Sequence, residues 1–129
     1  LSRCKHFGYG QAIQARREAS SAHAEDALLC NTNGELCCGT AANLLVRRQG
    51  AWLTPPLTSG CLPGIMRGRS LKLGRSTEHW LGNGLDSEDQ ALLINSLGCR
   101  PIQRCDGVTL APCSEAETLW EALLDPRQT

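Results

Sequence analysis

No apolar run in this 129-residue chain approaches the roughly 20 residues that carry a helix across a bilayer, so no helical membrane span is expected. The first ten residues, LSRCKHFGYG, are polar and mixed and lack the apolar stretch of a secretory signal. Aromatic residues are scarce, at 4%, and Lys+Arg balance Asp+Glu at 13 each. The arginines at 47, 48, 67, 69 and 75 are scattered rather than gathered. A nucleic-acid partner calls for a basic face interleaved with aromatics, and none is expected here. There is no CxxC spacing, and His6, His23 and His79 stand apart, so a zinc site is not expected either. An initiating Met is also missing. With a candidate functional loop so near the start, a piece of a longer chain is the expectation.

Cysteine, by contrast, is abundant, with eight residues at 4, 30, 37, 38, 61, 99, 105 and 113. Several sit inside apolar runs, as in Leu28-Leu29-Cys30 and Leu36-Cys37-Cys38, where cysteine behaves as a small buried hydrophobe. A secreted disulfide framework more often accompanies a short, loop-rich, core-poor chain. Free thiols in a cytoplasmic protein are therefore expected. The length suits one domain with one sizeable core.

Leu1 to Gly10 reads as a loop, and Gln11 to about Ala24 as a helix with a weak alanine stripe. Apolar runs at Ala27–Cys30, from Leu36, and at Leu44–Val46 are separated by Asn31-Thr32-Asn33-Gly34 and closed by Gln49-Gly50. That pattern predicts antiparallel strands joined by turns. Pro63 is well placed as a first helical residue, with the amides of Gly64, Ile65 and Met66 opening a helix that Gly74 closes. Free amides in a loop with little side-chain bulk make an anion cup. Ser76–Leu81 reads as a short strand, Leu85–Gln90 as a helical turn capped by Asp86 or Ser87, and Ala91–Ile94 as a buried strand. Cys99–Cys105 continues extended to a turn at Asp106-Gly107, and Ser114–Leu124 forms a closing helix.

Four segments, KHFGYGQAIQARREA, DALLCNTNGELCCGTAANLLV, TPPLTSGCLPGIMRGR and INSLGCRPI, follow in order over roughly residues 3 to 102. Together they resemble the C-terminal half of the fold-type IV pyridoxal-phosphate enzymes. These comprise the branched-chain and D-amino-acid aminotransferases and aminodeoxychorismate lyase. The Asn95-Ser96-Leu97 turn is similar to the lyase branch, where aminotransferases more often carry a Gly-Thr or Ser-Thr-Thr loop. The resemblance implies a mixed α/β fold, with a twisted, barrel-like sheet flanked by helices. It also implies pyridoxal 5'-phosphate as cofactor, a small-molecule substrate, and a homodimer of the full-length protein.

By the same resemblance Lys5 is the amine that condenses with the cofactor aldehyde and then shuttles protons. Taken alone, a loop lysine reads as a solvated charge. Tyr9, the single tyrosine, resembles the residue that hydrogen-bonds the cofactor's phenolic oxygen; a half-buried aromatic is its plainer reading. Ile65 and Met66 would give backbone amides to the phosphate, and Asn95 a side-chain contact, though a strand-ending turn also accounts for Asn95. Leu62 would pack against the ring, or equally serve as an ordinary core leucine.

The family places a glutamate five residues before the Asn of its Asn-Leu pair, to keep the pyridine nitrogen protonated. Counting back from Asn43 gives Cys38. Residues three apart in a strand face opposite ways, so Glu35 cannot substitute without a bulge or register slip. A neutral thiol is a weak acceptor, which disfavours efficient transamination. The family's N-terminal domain supplies an arginine to the phosphate and much of the substrate pocket. The isolated piece is therefore expected to bind cofactor weakly or not at all. The expected activity of the whole is a lyase converting 4-amino-4-deoxychorismate to p-aminobenzoate and pyruvate. The alternatives are a class IV aminotransferase or a non-catalytic relative.

Overall fold

A computed structural model describes residues 2–4 and 26–125. The helix expected over Gln11–Ala24 lies outside the described residues, as do Lys5 and Tyr9. The strands are β1 (Ser2–Cys4), β2 (Ala27–Cys30), β3 (Leu36–Gly39), β4 (Asn43–Arg48), β5 (Ala51–Thr54), β6 (Thr77–Glu78), β7 (Gln90–Asn95) and β8 (Gly98–Pro101). A small hairpin, β9 (Arg104–Cys105) and β10 (Val108–Thr109), follows. The helices are α1 (Ile65–Lys72) and α2 (Ala116–Leu124).

The first eight strands form one mixed sheet in which β1 and β2 run parallel, as do β5 and β6, and the other pairs run antiparallel. β4 is its centre. Asn43 pairs with both Cys38 and Ile94, and Val46 with both Leu53 and Ala91, so β7 lies along one edge while β3 and β5 share the other. The mixed α/β expectation holds, but the described strands do not close into a barrel. The sheet ends at β1, β6 and β8, and no pairing joins those ends among the described residues. The apolar pattern could place strands but not the edge contacts that decide closure.

Alternation along β4 sorts the core into two layers. Leu44 and Val46 face a cluster with Leu28, Ala91, Leu93 and Leu110. Leu45 faces the opposite one, with Leu92, Ile94, Met66, Leu119 and Leu123, beneath α1 and α2. In α2 the buried positions Ala116, Leu119 and Leu123 recur at the three-to-four spacing that a helix needs to present one apolar stripe. Its last turn is fastened from α1: Arg69 Nε donates to the carbonyl of Leu123, and Nη2 donates to that of Asp125 at 3.1 Å.

Two-residue turns form as predicted at Gln49-Gly50 and Asp106-Gly107, all four residues having positive φ, the backbone that suits tight hairpins. Other expectations are corrected. Ser2–Cys4 is a strand rather than loop, because pairing with β2 supplies an order that its own side chains do not signal. The Ser76–Leu81 strand shrinks to Thr77–Glu78. Pro63 stays outside α1: Gly64 is the N-cap, extended at φ −68 and ψ 151, and the helix begins at Ile65.

Leu85–Gln90 keeps a single turn, the Asp89 amide donating to the carbonyl of Asp86 at 3.1 Å and the Glu88 amide to Asp86 Oδ1 at 3.0 Å, with no helix beyond it. The Asp89 carboxylate is buried under Arg48, accepting from Nε at 2.9 Å and Nη2 at 3.0 Å, while also accepting from the amide of Asp86 at 3.0 Å. That clamp pulls the chain directly into β7. Asp89→Ala is expected to cost about 3 kcal/mol, because Arg48 would lose its counter-charge in a half-buried place. Urea unfolding followed by circular dichroism measures it, and an unmoved midpoint would refute the clamp.

Candidate active site

The sheet's helix-facing side brings together residues that are far apart in sequence. A bulge in β3 makes this possible. Leu29 pairs with Cys38, but Cys30 pairs with Leu36, leaving Cys37 as the extra residue. The alternation therefore slips by one, and Cys38 comes to lie across from Asn43 on the α1 side. The parity objection to Glu35 thereby disappears. Even so, Glu35 precedes the strand, and its carboxylate accepts from Asn31 Nδ2 at 3.1 Å in the hairpin loop. It does not take the place of Cys38.

Cys38 is 1% exposed, and burial pushes its thiol up to about 12, with the hydrogen-bonded backbone of Leu62 pulling the other way. At neutral pH it is an uncharged thiol. Beside it Asn43, also buried, donates from Nδ2 to the carbonyl of Leu62 at 2.6 Å. A Cβ added at Gly64 would overlap Asn43 Oδ1, so only glycine fits at that close approach. The Leu62–Gly64 loop is thus pinned to the sheet at the point where α1 starts.

Beyond the pin, Ile65 and Met66 are the first two residues of α1. The first i to i−4 bond of the helix is from Gly68 N to Gly64 O at 3.1 Å, so the preceding amides have no carbonyl within the helix to accept them. No side chain caps this end, and no acidic residue lies in its first turn. Met66 is buried, whereas Ile65 is 72% exposed and Leu62 42% exposed. The core reading of Leu62 is therefore corrected, since tying its carbonyl to Asn43 turns its side chain outward. Uncapped amides on a glycine-hinged loop fit an anionic group such as a phosphate.

Asn95 ends β7 at the Ser96-Leu97 turn. Its Oδ1 accepts from the amides of Leu97 at 2.9 Å and Gly98 at 3.2 Å, and its Nδ2 donates to the carbonyl of Ala41 at 3.1 Å. The side chain thus links this turn to the β3–β4 turn, as the strand-ending reading requires. The main chain of Asn95 is held from α2 by Trp120 Nε1 at 2.9 Å. As for Lys5, β1 ends one residue before it. Cys4 pairs with Leu29 and Leu29 with Cys38, so β1 ends about two strand spacings, roughly 10 Å, from Cys38.

Sequence reasoning uses Asn43 merely as a landmark and counts Arg67 among the scattered charges. In the structure Arg67 is buried, donating to the carbonyl of Pro55 at 3.0 Å and paired with Glu78. It braces the first turn of α1 against β5 and β6. A basic residue three places after a glycine N-cap was the available signal.

Cys37, Cys38, Cys61, Cys99 and Cys113 are free thiols. Cys37 and Cys38 are buried, and burial pushes Cys37 up to about 11; Cys99 and Cys113 are half-buried. Alkylation needs an accessible thiolate. Iodoacetamide at pH 8 is expected to label Cys99 and Cys113 well before Cys37 and Cys38, as read by peptide mass spectrometry. Early labelling of Cys38 would contradict its burial.

The family model described as amino-transferase class IV matches residues 1–105. A protein of Thermotoga maritima assigned as a branched-chain-amino-acid aminotransferase is 31% identical over 107 residues, covering 78% of this chain and 38% of the relative. One of Schizosaccharomyces pombe assigned as an aminodeoxychorismate lyase is 36% identical over 85 residues, covering 63% of this chain and 37% of the relative. The crystal structure of a branched-chain amino acid aminotransferase from Thermobaculum terrenum, in its PLP form, superposes with a TM-score of 0.77 at 25% identity. It is matched over 89% of this chain and 41% of its own. The chain thus spans about two fifths of the length of these relatives. With the profile matching from end to end of the sheet that builds this loop, the chain belongs to the class IV aminotransferase family.

Proposed function

We propose that this chain is the cofactor-holding, C-terminal half of a pyridoxal 5'-phosphate-dependent lyase. Its reaction converts 4-amino-4-deoxychorismate to p-aminobenzoate and pyruvate. The observation that carries the cofactor is the pinned loop: Asn43 holds Leu62 and Gly64 where α1 opens with the uncapped amides of Ile65 and Met66. Leu62 packs against the ring from the open side of the loop, and Asn95 contributes from the neighbouring turn. Tyr9 hydrogen-bonds the phenolic oxygen. The cofactor, when bound, supplies an aldehyde and an electron-withdrawing ring.

This chain's own contribution is the Lys5 amine, which removes the proton from the amino-bearing carbon of the substrate. The enolpyruvyl ether on the adjacent carbon then leaves, the six-membered ring becomes aromatic, and the released enol becomes pyruvate. Aromatisation provides much of the driving force, so this elimination demands less of the ring nitrogen than amino-group transfer does. The neutral Cys38 thiol suits that lower demand. The lyase relative and the Asn95-Ser96-Leu97 turn support the same choice.

A second reading, a class IV aminotransferase for branched-chain or D-amino acids, is favoured by the 31% identity to the Thermotoga relative. A third, a non-catalytic relative, is favoured by Cys38 itself. The full-length protein, proposed as a cytoplasmic homodimer, should release pyruvate from 4-amino-4-deoxychorismate in a lactate dehydrogenase-coupled assay. Transfer of an amino group to a 2-oxo acid without pyruvate release would move the assignment to the aminotransferases, and neither reaction would leave the non-catalytic reading.

A further inference from the structure

We propose that Asn43 is the positioning residue that sets the phosphate-binding geometry of the Leu62–Met66 loop, an inference that rests on the cofactor reading above. Asn43 opens β4 and is paired on both edges, to Cys38 and to Ile94, so its backbone is among the best-anchored points of the sheet. Its carboxamide meets the loop twice. Nδ2 donates to the carbonyl of Leu62 at 2.6 Å, and Oδ1 lies against Gly64 where a Cβ would collide. One planar group therefore fixes the residues on either side of Pro63. With the Leu62 carbonyl tied to Asn43 and Gly64 held extended, the chain enters α1 with the Ile65 and Met66 amides uncapped at its start.

No neighbouring group can replace it. The Cys38 sulfur accepts from the backbone of Leu62, and its S–H is only a single weak donor. Arg67 is committed elsewhere, its hydrogen bonds going to Pro55 and Glu78. An asparagine that merely filled the core would need its polar atoms satisfied anywhere. Here both ends of the amide are directed at one three-residue loop.

The test compares pyridoxal 5'-phosphate with pyridoxal, which lacks the phosphate, on the full-length protein by equilibrium titration. Asn43→Ala removes the grip, and Gly64→Ala pushes Oδ1 away from the loop. Each is expected to weaken the phosphorylated ligand about tenfold to a hundredfold, the worth of one buried hydrogen bond and the geometry it holds. Pyridoxal affinity should fall clearly less, by about threefold to fivefold, since it shares the Leu62 ring contact but not the loop amides. The double variant should lose no more than either single one, because removing the carboxamide at position 43 makes room for the methyl added at position 64. Circular dichroism verifies folding, and Gly64→Ala, altering a half-buried loop, serves if Asn43→Ala does not fold. Equal losses for both ligands, full retention of both, or additive losses in the double variant would each overturn the proposal. A wild-type protein that binds neither ligand would instead overturn the cofactor reading on which it stands.

Discussion

Lys5→Ala in the full-length protein is expected to abolish the absorbance band that pyridoxal 5'-phosphate gains near the visible edge when it condenses with a protein amine. Turnover should fall with it by about a thousandfold or more, since one residue would lose both its covalent and its proton-transfer roles. The expectation draws on the register of the sheet. Strand β1 delivers the chain to within two strand spacings of Cys38, and the next residue in the sequence is a lysine. Borohydride reduction of the wild-type protein, followed by peptide mass spectrometry, should leave the cofactor's mass on the peptide carrying Lys5. If that peptide is unmodified, Lys5 is a solvated charge, and the catalytic reading of this chain fails.

Cys38→Glu is expected to act in two opposite directions. Without cofactor, a carboxylate placed where the thiol is 1% exposed should destabilise the fold by about 2–4 kcal/mol. With cofactor, the same carboxylate gains a positively charged ring nitrogen as partner, which the uncharged thiol cannot provide. The stability lost should then largely return on binding. Amino-group transfer to a 2-oxo acid should rise by about tenfold, a barrier change of about 1.4 kcal/mol. Thermal denaturation with and without cofactor separates these effects. A variant equally destabilised in both states, with no gain in transfer, would show that Cys38 does not face the ring nitrogen.

The arginines show how local and tertiary information divide. Along the chain, Arg47, Arg48, Arg67 and Arg69 look like ordinary surface charges. In the fold Arg47 pairs with Glu115, Arg48 with Asp89 and Arg67 with Glu78, while Arg69 caps the end of α2. The partners lie between 11 and 68 residues away. No spacing rule reaches that far, because such pairs depend on how strands and helices come to lie together. The same limit applies at Leu85–Gln90, where local propensity suggested the Asp86–Asp89 turn but not the ion pair that ties Asp89 to Arg48.

What the sequence determined by itself was whatever neighbouring residues can decide: the apolar runs that became β2, β3, β4 and β7, the turns at Gln49-Gly50 and Asp106-Gly107, the two described helices, and the ordered motifs that mark the family. These are short-range effects of alternation, backbone sterics and capping. The tertiary structure decided the rest. It made a strand of Ser2–Cys4, left the sheet open among the described residues, and placed a bulge at Cys37 that turned Cys38 toward Asn43. It also made Asn43, and not Pro63, the residue that fixes where α1 begins. Each of these depends on hydrogen bonds and close approaches between segments distant in sequence, whose energies exist only once the chain has folded.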